Sequence, residues 1–88
     1  MIRRHVVVHG DVQGVFFRDA CRTEADAAGL TGWVSNTSAG TVEAAFEGDA
    51  DAVERLIEWC RHGSPQARVE RVEVNDEEPR GERQFEVR

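Results

Sequence analysis

The sequence has few cations, few aromatics and little proline. Its 88 residues contain no lysine, so that 11 arginines face 17 acidic residues and the formal net charge is −6. It has no tyrosine and only two prolines. An acidic chain has no positive field to attract nucleic acid or an anionic membrane, and RNA recognition on a sheet also needs exposed aromatics. We therefore expect neither nucleic acid nor a membrane as a partner.

Long apolar runs and paired cysteines are also missing. No stretch approaches the roughly 20 apolar residues that cross a bilayer, and the apolar segment near the N-terminus is only Val6-Val7-Val8, too short for a signal peptide. We therefore expect a cytoplasmic protein. Cys21 and Cys60 lack the spacing of a metal or redox motif and lie in apolar-periodic segments, so we expect two buried free thiols.

Hydrophobic periodicity predicts alternating strands and helices within one domain over residues 1–88. Gly29 and Gly63 are suited to end the two helices, and Asp49 is suited to cap the second. The predicted strands are 4–9, 31–38, 41–47 and 68–74, then a polar loop over 75–82 and a short last strand at Phe85 and Val87, and the predicted helices are 16–28 and 50–62. This βαββαβ order predicts an α+β, ferredoxin-like sandwich with two helices packed on one face of an antiparallel sheet.

The loop from Gly10 to Arg18 carries the clearest functional pattern. Glycines at 10 and 14 let the chain curl before a helix, where free N–H groups and the helix dipole favour an anion. The segment has neither the Gly-Lys-Ser/Thr end of a P-loop nor the GxGxxG of a dinucleotide site. On spacing alone, a plain connection between strand and helix is the simpler interpretation.

Arg18 makes an anion site more attractive. A cation in the first helical turn is disfavoured by the dipole, by up to about 1 kcal/mol, so something should offset it. One possibility is a salt bridge to Asp19, to Asp26 or to a carboxylate of the sheet. The other is a bound anion, since an arginine fork presents parallel donors to phosphate oxygens.

Asn36 is the second candidate, at the predicted end of a strand just before a turn. Taken alone, Asn36 and Thr37 are typical of turn residues with local side-chain hydrogen bonds. The three histidines have no cysteine or carboxylate at ligand spacing, so we expect no metal site.

These segments resemble the two motifs of the acylphosphatases. The first motif is similar to Gly10-x-Val12-Gln13-Gly14-Val15-x-Phe17-Arg18, and the second to Gly32-Trp33-Val34-x-Asn36-Thr37-x-x-Gly40-Thr41-Val42. Gly63-Ser64-Pro65 and Arg68-Val69 also match the family, and Phe16 occupies a variable site. The resemblance covers roughly residues 5–88.

The resemblance implies a ferredoxin-like enzyme that hydrolyses acyl phosphates to a carboxylate and inorganic phosphate, without a metal or cofactor. It implies that Arg18 binds the phosphoryl oxygens and that Asn36 holds the attacking water. Gly10 and Thr37 would support these two segments. The backbone N–H groups implied in phosphate binding are those of Gln13, Gly14, Val15, Phe16, Phe17 and Arg18. Phosphate would be both product and inhibitor, and a monomer is the default expectation.

Other functions remain open at this stage. A ferredoxin-like fold also suits a non-catalytic, regulatory module that binds an anion. Related domains handle carbamoyl phosphate inside larger maturation enzymes, although a chain ending at Arg88 favours a free-standing enzyme. The sequence shows no dedicated acyl pocket beside the two motifs, so we expect broad specificity for the acyl group.

Overall fold

Five strands form one sheet, on which two helices pack. The computed structural model describes all residues from 1 to 88. The elements are β1 (Ile2–Asp11), α1 (Phe17–Ala27), β2 (Thr31–Asn36), β3 (Val42–Gly48), α2 (Ala50–Cys60), β4 (Arg68–Glu77) and β5 (Phe85–Val87). The sheet order is β4-β1-β3-β2-β5, so the valine-rich β1 lies inside the sheet. The predicted ferredoxin-like fold is confirmed.

Two details of the predicted sheet need correction. The sheet is mixed, because β5 pairs with β2 in parallel while the other pairs are antiparallel. The polar loop predicted over 75–82 begins later, since β4 continues to Glu77. The reason is that β1 already begins at Ile2, so that Arg3 and His5 offer ladder partners to Glu77 and Asn75.

The core lies between the helices and one face of the sheet. Strand residues such as Val6 and Phe46 are fully buried there. The two helices meet where the rings of Phe17 and Trp59 approach to 5.2 Å between centroids. Cys21 and Cys60 are both buried free thiols, as predicted; the remaining members of the core include Val8, Val34, Val42, Ala44, Val53, Leu56 and Ile57.

The helix ends follow the sequence signals except at one cap. Gly29 and Gly63 have φ of 71° and 73° just beyond the helices, which suits a glycine that ends a helix. Asp49 precedes α2 at the predicted position, but its side chain makes no capping hydrogen bond. Neither helix combines the length and apolar character that crossing a bilayer requires.

The opposite face of the sheet carries a buried ionic cluster that the strand pattern did not predict. Alternation with the buried Val42, Ala44 and Phe46 turns Glu47 to the other face of the sheet, yet its side chain is only 1% exposed. Arg3 Nη1 lies 3.2 Å from Glu47 Oε1. The backbone N–H groups of Arg80 and Gly81 donate to the two Glu47 oxygens at 2.7 and 2.8 Å. The connection between β4 and β5 is thereby fastened over the sheet.

Candidate active site

The loop between β1 and α1 presents a row of free backbone donors. Gly14 has φ of 73° and Phe16, the residue before α1, has φ of 61°, so the chain curls twice before the helix. No side chain caps this end of α1. The first N–H of the helix with a protein acceptor is that of Ala20, which donates to Phe16 O at 3.1 Å. The N–H groups of residues 13–19 have no protein acceptor and can therefore bind an anion.

Two side-chain hydrogen bonds fix this loop. Gln13 Nε2 donates to the carbonyl oxygens of Thr37 and Thr41 at 2.8 and 2.9 Å, which ties the loop to the hairpin between β2 and β3. Ser64 Oγ donates to Val15 O at 2.6 Å, from the segment that follows α2. These bonds use a side chain and a carbonyl of the loop and leave its N–H groups free.

A cavity of about 300 Å³ lies against the start of α1. It brings Arg18 and Asn36 together although they belong to different elements. Its full lining is Val12, Gly14, Phe16, Phe17, Arg18, Asp19 and Asn36. Of the other residues implied by the resemblance, Gly10, Gln13, Val15 and Thr37 lie outside the lining. Gln13 and Val15 make the bonds just described.

Arg18 has no Asp or Glu side chain as a partner. None of the ion pairs considered from the sequence forms, and Asp26 lies 3.6 Å from Arg22 instead. Arg18 Nη1 donates to the main-chain oxygen of Arg88 at 3.0 Å. The backbone N–H of Arg88 in turn donates to Val34 O at 2.8 Å, so the end of the chain is anchored to β2. The guanidinium is thus held at the cavity with its positive charge uncompensated by a side chain.

Asn36 is the last residue of β2, and its side-chain amide makes no hydrogen bond within the protein. The turn role falls to Thr37. Its Oγ1 lies 2.7 Å from Thr41 Oγ1 and accepts from the N–H of Ala39 at 3.2 Å. The local-turn interpretation therefore fits Thr37 and fails for Asn36, whose amide is free to bind a ligand or a water.

Sequence reasoning did not select Val12 and Asp19, which also line the cavity. Val12 is buried. Asp19 lies in the first turn of α1, where a carboxylate stabilises the helix dipole. The sequence signal that could have selected Asp19 was its position directly after Arg18. The fold brings together no group of three His, Cys, Asp or Glu side chains that could hold a metal ion.

Comparison with known proteins decides the family. The acylphosphatase family model matches residues 4–87. The chain belongs to the acylphosphatase family. It is 57% identical to the acylphosphatase of Rubrobacter xylanophilus, over 98% of this chain and 79% of that protein. It is 54% identical to the acylphosphatase of Gloeobacter violaceus, over 98% of this chain and 92% of that protein.

A solved structure of the family has the same fold. The crystal structure of acylphosphatase from Bacillus subtilis superimposes with a TM-score of 0.96 at 35% identity, covering 99% of this chain and 98% of that one. The family membership inferred from the two motifs is therefore confirmed. The roles of individual residues stay predictions.

Proposed function

We propose that this acylphosphatase-family protein hydrolyses acyl phosphates to a carboxylate and inorganic phosphate. The observation that carries the proposal is the convergence of Arg18, Asn36 and a row of free N–H groups on one cavity. An acyl phosphate has a phosphoryl group to be held and a carboxylate that leaves readily. These needs are positioning and charge stabilisation, which dominate phosphoryl transfer.

In this proposal the loop binds the phosphoryl group. The N–H groups from Gln13 to Arg18 and the Arg18 fork donate to its oxygens, and their contribution grows as negative charge spreads in the transition state. The main-chain oxygen of Arg88 holds the guanidinium in place at 3.0 Å. Because these donors are fixed before the substrate binds, little reorganisation opposes the reaction.

Asn36 is proposed to position the attacking water in line with the departing carboxylate. An amide does not titrate usefully, so its contribution is orientation rather than base catalysis. No histidine lines the cavity. We assign the water's proton to an oxygen of the substrate's own phosphoryl group, which lies next to the water in this arrangement.

The setting proposed for this activity is a cytoplasmic monomer, with phosphate acting as product and competitive inhibitor. Large hydrophobic side chains are exposed at only three positions, Met1, Phe16 and Val74. Scattered apolar residues of this kind offer little area for a stable subunit interface. No cofactor is needed for the steps above, because the charge stabilisation comes from Arg18 and the backbone.

The test is phosphate release from acetyl phosphate in the presence of EDTA. Arg18→Ala should lower kcat/KM by about a hundredfold or more, the typical effect of losing a transition-state donor. Arg18→Lys should fail as well, because an ammonium cannot reproduce the planar fork. Arg22→Ala is the matched control: Arg22 is exposed one turn along α1, pairs with Asp26 and does not line the cavity, so turnover should persist.

Two results would contradict the proposal. Equal losses in Arg18→Ala and Arg22→Ala would show that the loss comes from the helix and not from the cavity. Phosphate binding measured by calorimetry, with no hydrolysis of acetyl phosphate by the wild type, would favour the non-catalytic anion-binding module.

A further inference from the structure

Phe16 combines an unusual backbone with an unusual exposure. Its φ of 61° makes it the only non-glycine residue with positive φ. Bulky side chains rarely adopt this conformation, and such outliers concentrate at functional sites. The residue is also 69% exposed. A phenylalanine is thus kept at a strained position in which it buries little of its ring.

The neighbouring apolar residues of the cavity are already used by the core. Val12 and Phe17 are 1% and 2% exposed, and Phe17 packs on Trp59. Phe16 is not part of the core and pairs with no other aromatic ring. Of the three hydrophobic residues that line the cavity, only Phe16 therefore offers a large free apolar surface at its mouth.

We propose that the Phe16 side chain binds the acyl group of the substrate and gives the protein a preference for aromatic over small aliphatic acyl phosphates. This inference rests on the proposed hydrolysis of acyl phosphates. The N–H of Phe16 belongs to the row that would hold the phosphoryl group, so an acyl group extending from that phosphoryl group towards solvent passes the mouth of the cavity beside the ring. The ring removes apolar surface from water and can stack on an aromatic acyl group.

Such a contact refines the broad specificity expected from the sequence. The ring lies on an open surface and does not enclose a pocket. It therefore adds affinity for a large apolar acyl group without excluding a small one. The preference for a large apolar acyl group is therefore one of degree. Its effect on kcat/KM should equal that of a single aromatic contact.

The test compares benzoyl phosphate with acetyl phosphate. The two substrates share the phosphoryl group, so any effect on the N–H row cancels in the ratio of their kcat/KM values. Phe16→Asn removes the ring but tolerates positive φ, and the ratio of benzoyl to acetyl phosphate should fall about three- to tenfold. Phe16→Tyr keeps the ring, and its ratio should stay at the wild-type value.

An unchanged ratio in Phe16→Asn would overturn the inference, and so would an equal fall in Phe16→Tyr. Calorimetry on the wild type gives a second measurement that does not depend on the folding of a variant. In an acylphosphonate, a direct C–P bond replaces the C–O–P linkage that is hydrolysed in an acyl phosphate. Benzoylphosphonate should bind more tightly than acetylphosphonate, and equal affinities would overturn the inference. A wild type that hydrolyses neither acyl phosphate would instead contradict the proposed function.

Discussion

At the scale of single residues, Arg18 and Asn36 share one property: neither side chain is paired with another side chain of the protein. Arg18 lies in the first turn of α1, where the dipole disfavours a cation, and no side-chain carboxylate offsets its charge. Asn36 ends a strand with its amide free of protein hydrogen bonds. A bound phosphoryl group and an oriented water would satisfy both.

Asn36→Ala tests whether positioning of the water by Asn36 is separate from phosphate binding by Arg18 and the N–H row. We expect kcat for acetyl phosphate to fall about a hundredfold, since a misplaced nucleophile costs that much, while inorganic phosphate still inhibits, because Arg18 and the N–H row remain. Ser35→Ala is the control from the neighbouring position, whose hydroxyl donates to the Asn36 carbonyl at 3.1 Å. Near-normal turnover in Asn36→Ala would refute the water-holding role.

At the scale of elements, the pairing of β1 with β4 shifts register between His9 and Gly10, just before the loop. Gly10 has φ of 131°, and a Cβ there would collide with the Arg68 carbonyl of the adjacent strand. This close approach explains why a glycine is needed at this position.

Gly10→Ala should therefore destabilise the fold more than Gly40→Ala does. Gly40 also has positive φ, of 87°, but a Cβ there meets nothing within 4 Å. Strain is common to both variants, whereas the collision affects only Gly10→Ala and should lower the free energy of unfolding by about a further 1–3 kcal/mol. Urea denaturation measures the difference, and equal losses would show that strain alone matters at Gly10.

Elements were easier to predict than their ends and partners. All five strands and both helices were predicted from periodicity, because alternation and the i, i+3, i+4 spacing are local properties. The end of β4 was wrong by three residues, since residues 75–77 are polar and are ordered only by pairing with Arg3 and its neighbours in β1. The parallel pairing of β5 likewise depends on β2, a distant part of the chain.

At the scale of the whole molecule, the Arg3–Glu47 cluster joins the first strand, the middle of the sheet and the connection to β5. Arg3 Nε also bonds Glu77 at 2.9 Å, and its Nη2 lies 3.3 Å from Glu82. The cluster binds the connection that precedes β5, and β5 is followed by Arg88, whose main-chain oxygen accepts a hydrogen bond from Arg18. The cluster is therefore linked through β5 to the cavity. Removing this cluster should lower the free energy of unfolding of the whole molecule.

Glu47→Gln should lower the free energy of unfolding by about 3 kcal/mol, the low end for a broken buried pair, because Glu77 and Glu82 still face Arg3. Glu43→Gln is the matched control, four residues earlier on the same face of β3 but with a side chain that is 39% exposed. It should cost less than about 1 kcal/mol. Thermal or urea unfolding measures both, and equal effects would remove the special role of the cluster.

The same cluster predicts acid sensitivity. Burial raises the pKa of Glu47, but the N–H of Arg80, the Arg3 guanidinium and the N–H of Gly81 together outweigh it, so that its pKa lies below the ordinary value of a glutamate. The unfolded chain then takes up a proton at higher pH than the folded one. Stability from this group is complete above the ordinary pKa, about 4.3, and is lost as pH falls through the lowered folded value.

Urea midpoints measured from about pH 6 downward should therefore drop more steeply in the wild type than in Glu47→Gln, which cannot titrate at this position. Glu77 keeps part of the acid dependence in both proteins, since its hydrogen bond from Arg3 also lowers its pKa. Parallel pH curves for the two proteins would show that Glu47 contributes nothing to acid unfolding.

The sequence by itself determined the order of elements, the two motifs and thereby the family, because each depends on residues close together in the chain. It also selected Arg18 and Asn36 as candidates. Only the tertiary structure decided that they line one cavity, that Phe16 is the exposed ring at its mouth, and that Glu47 is buried. These facts arise from contacts between distant segments: the connection to β5 covers β3, and the end of the chain holds Arg18. Local patterns carry no record of such contacts, because burial depends on what the rest of the chain places on top of a residue.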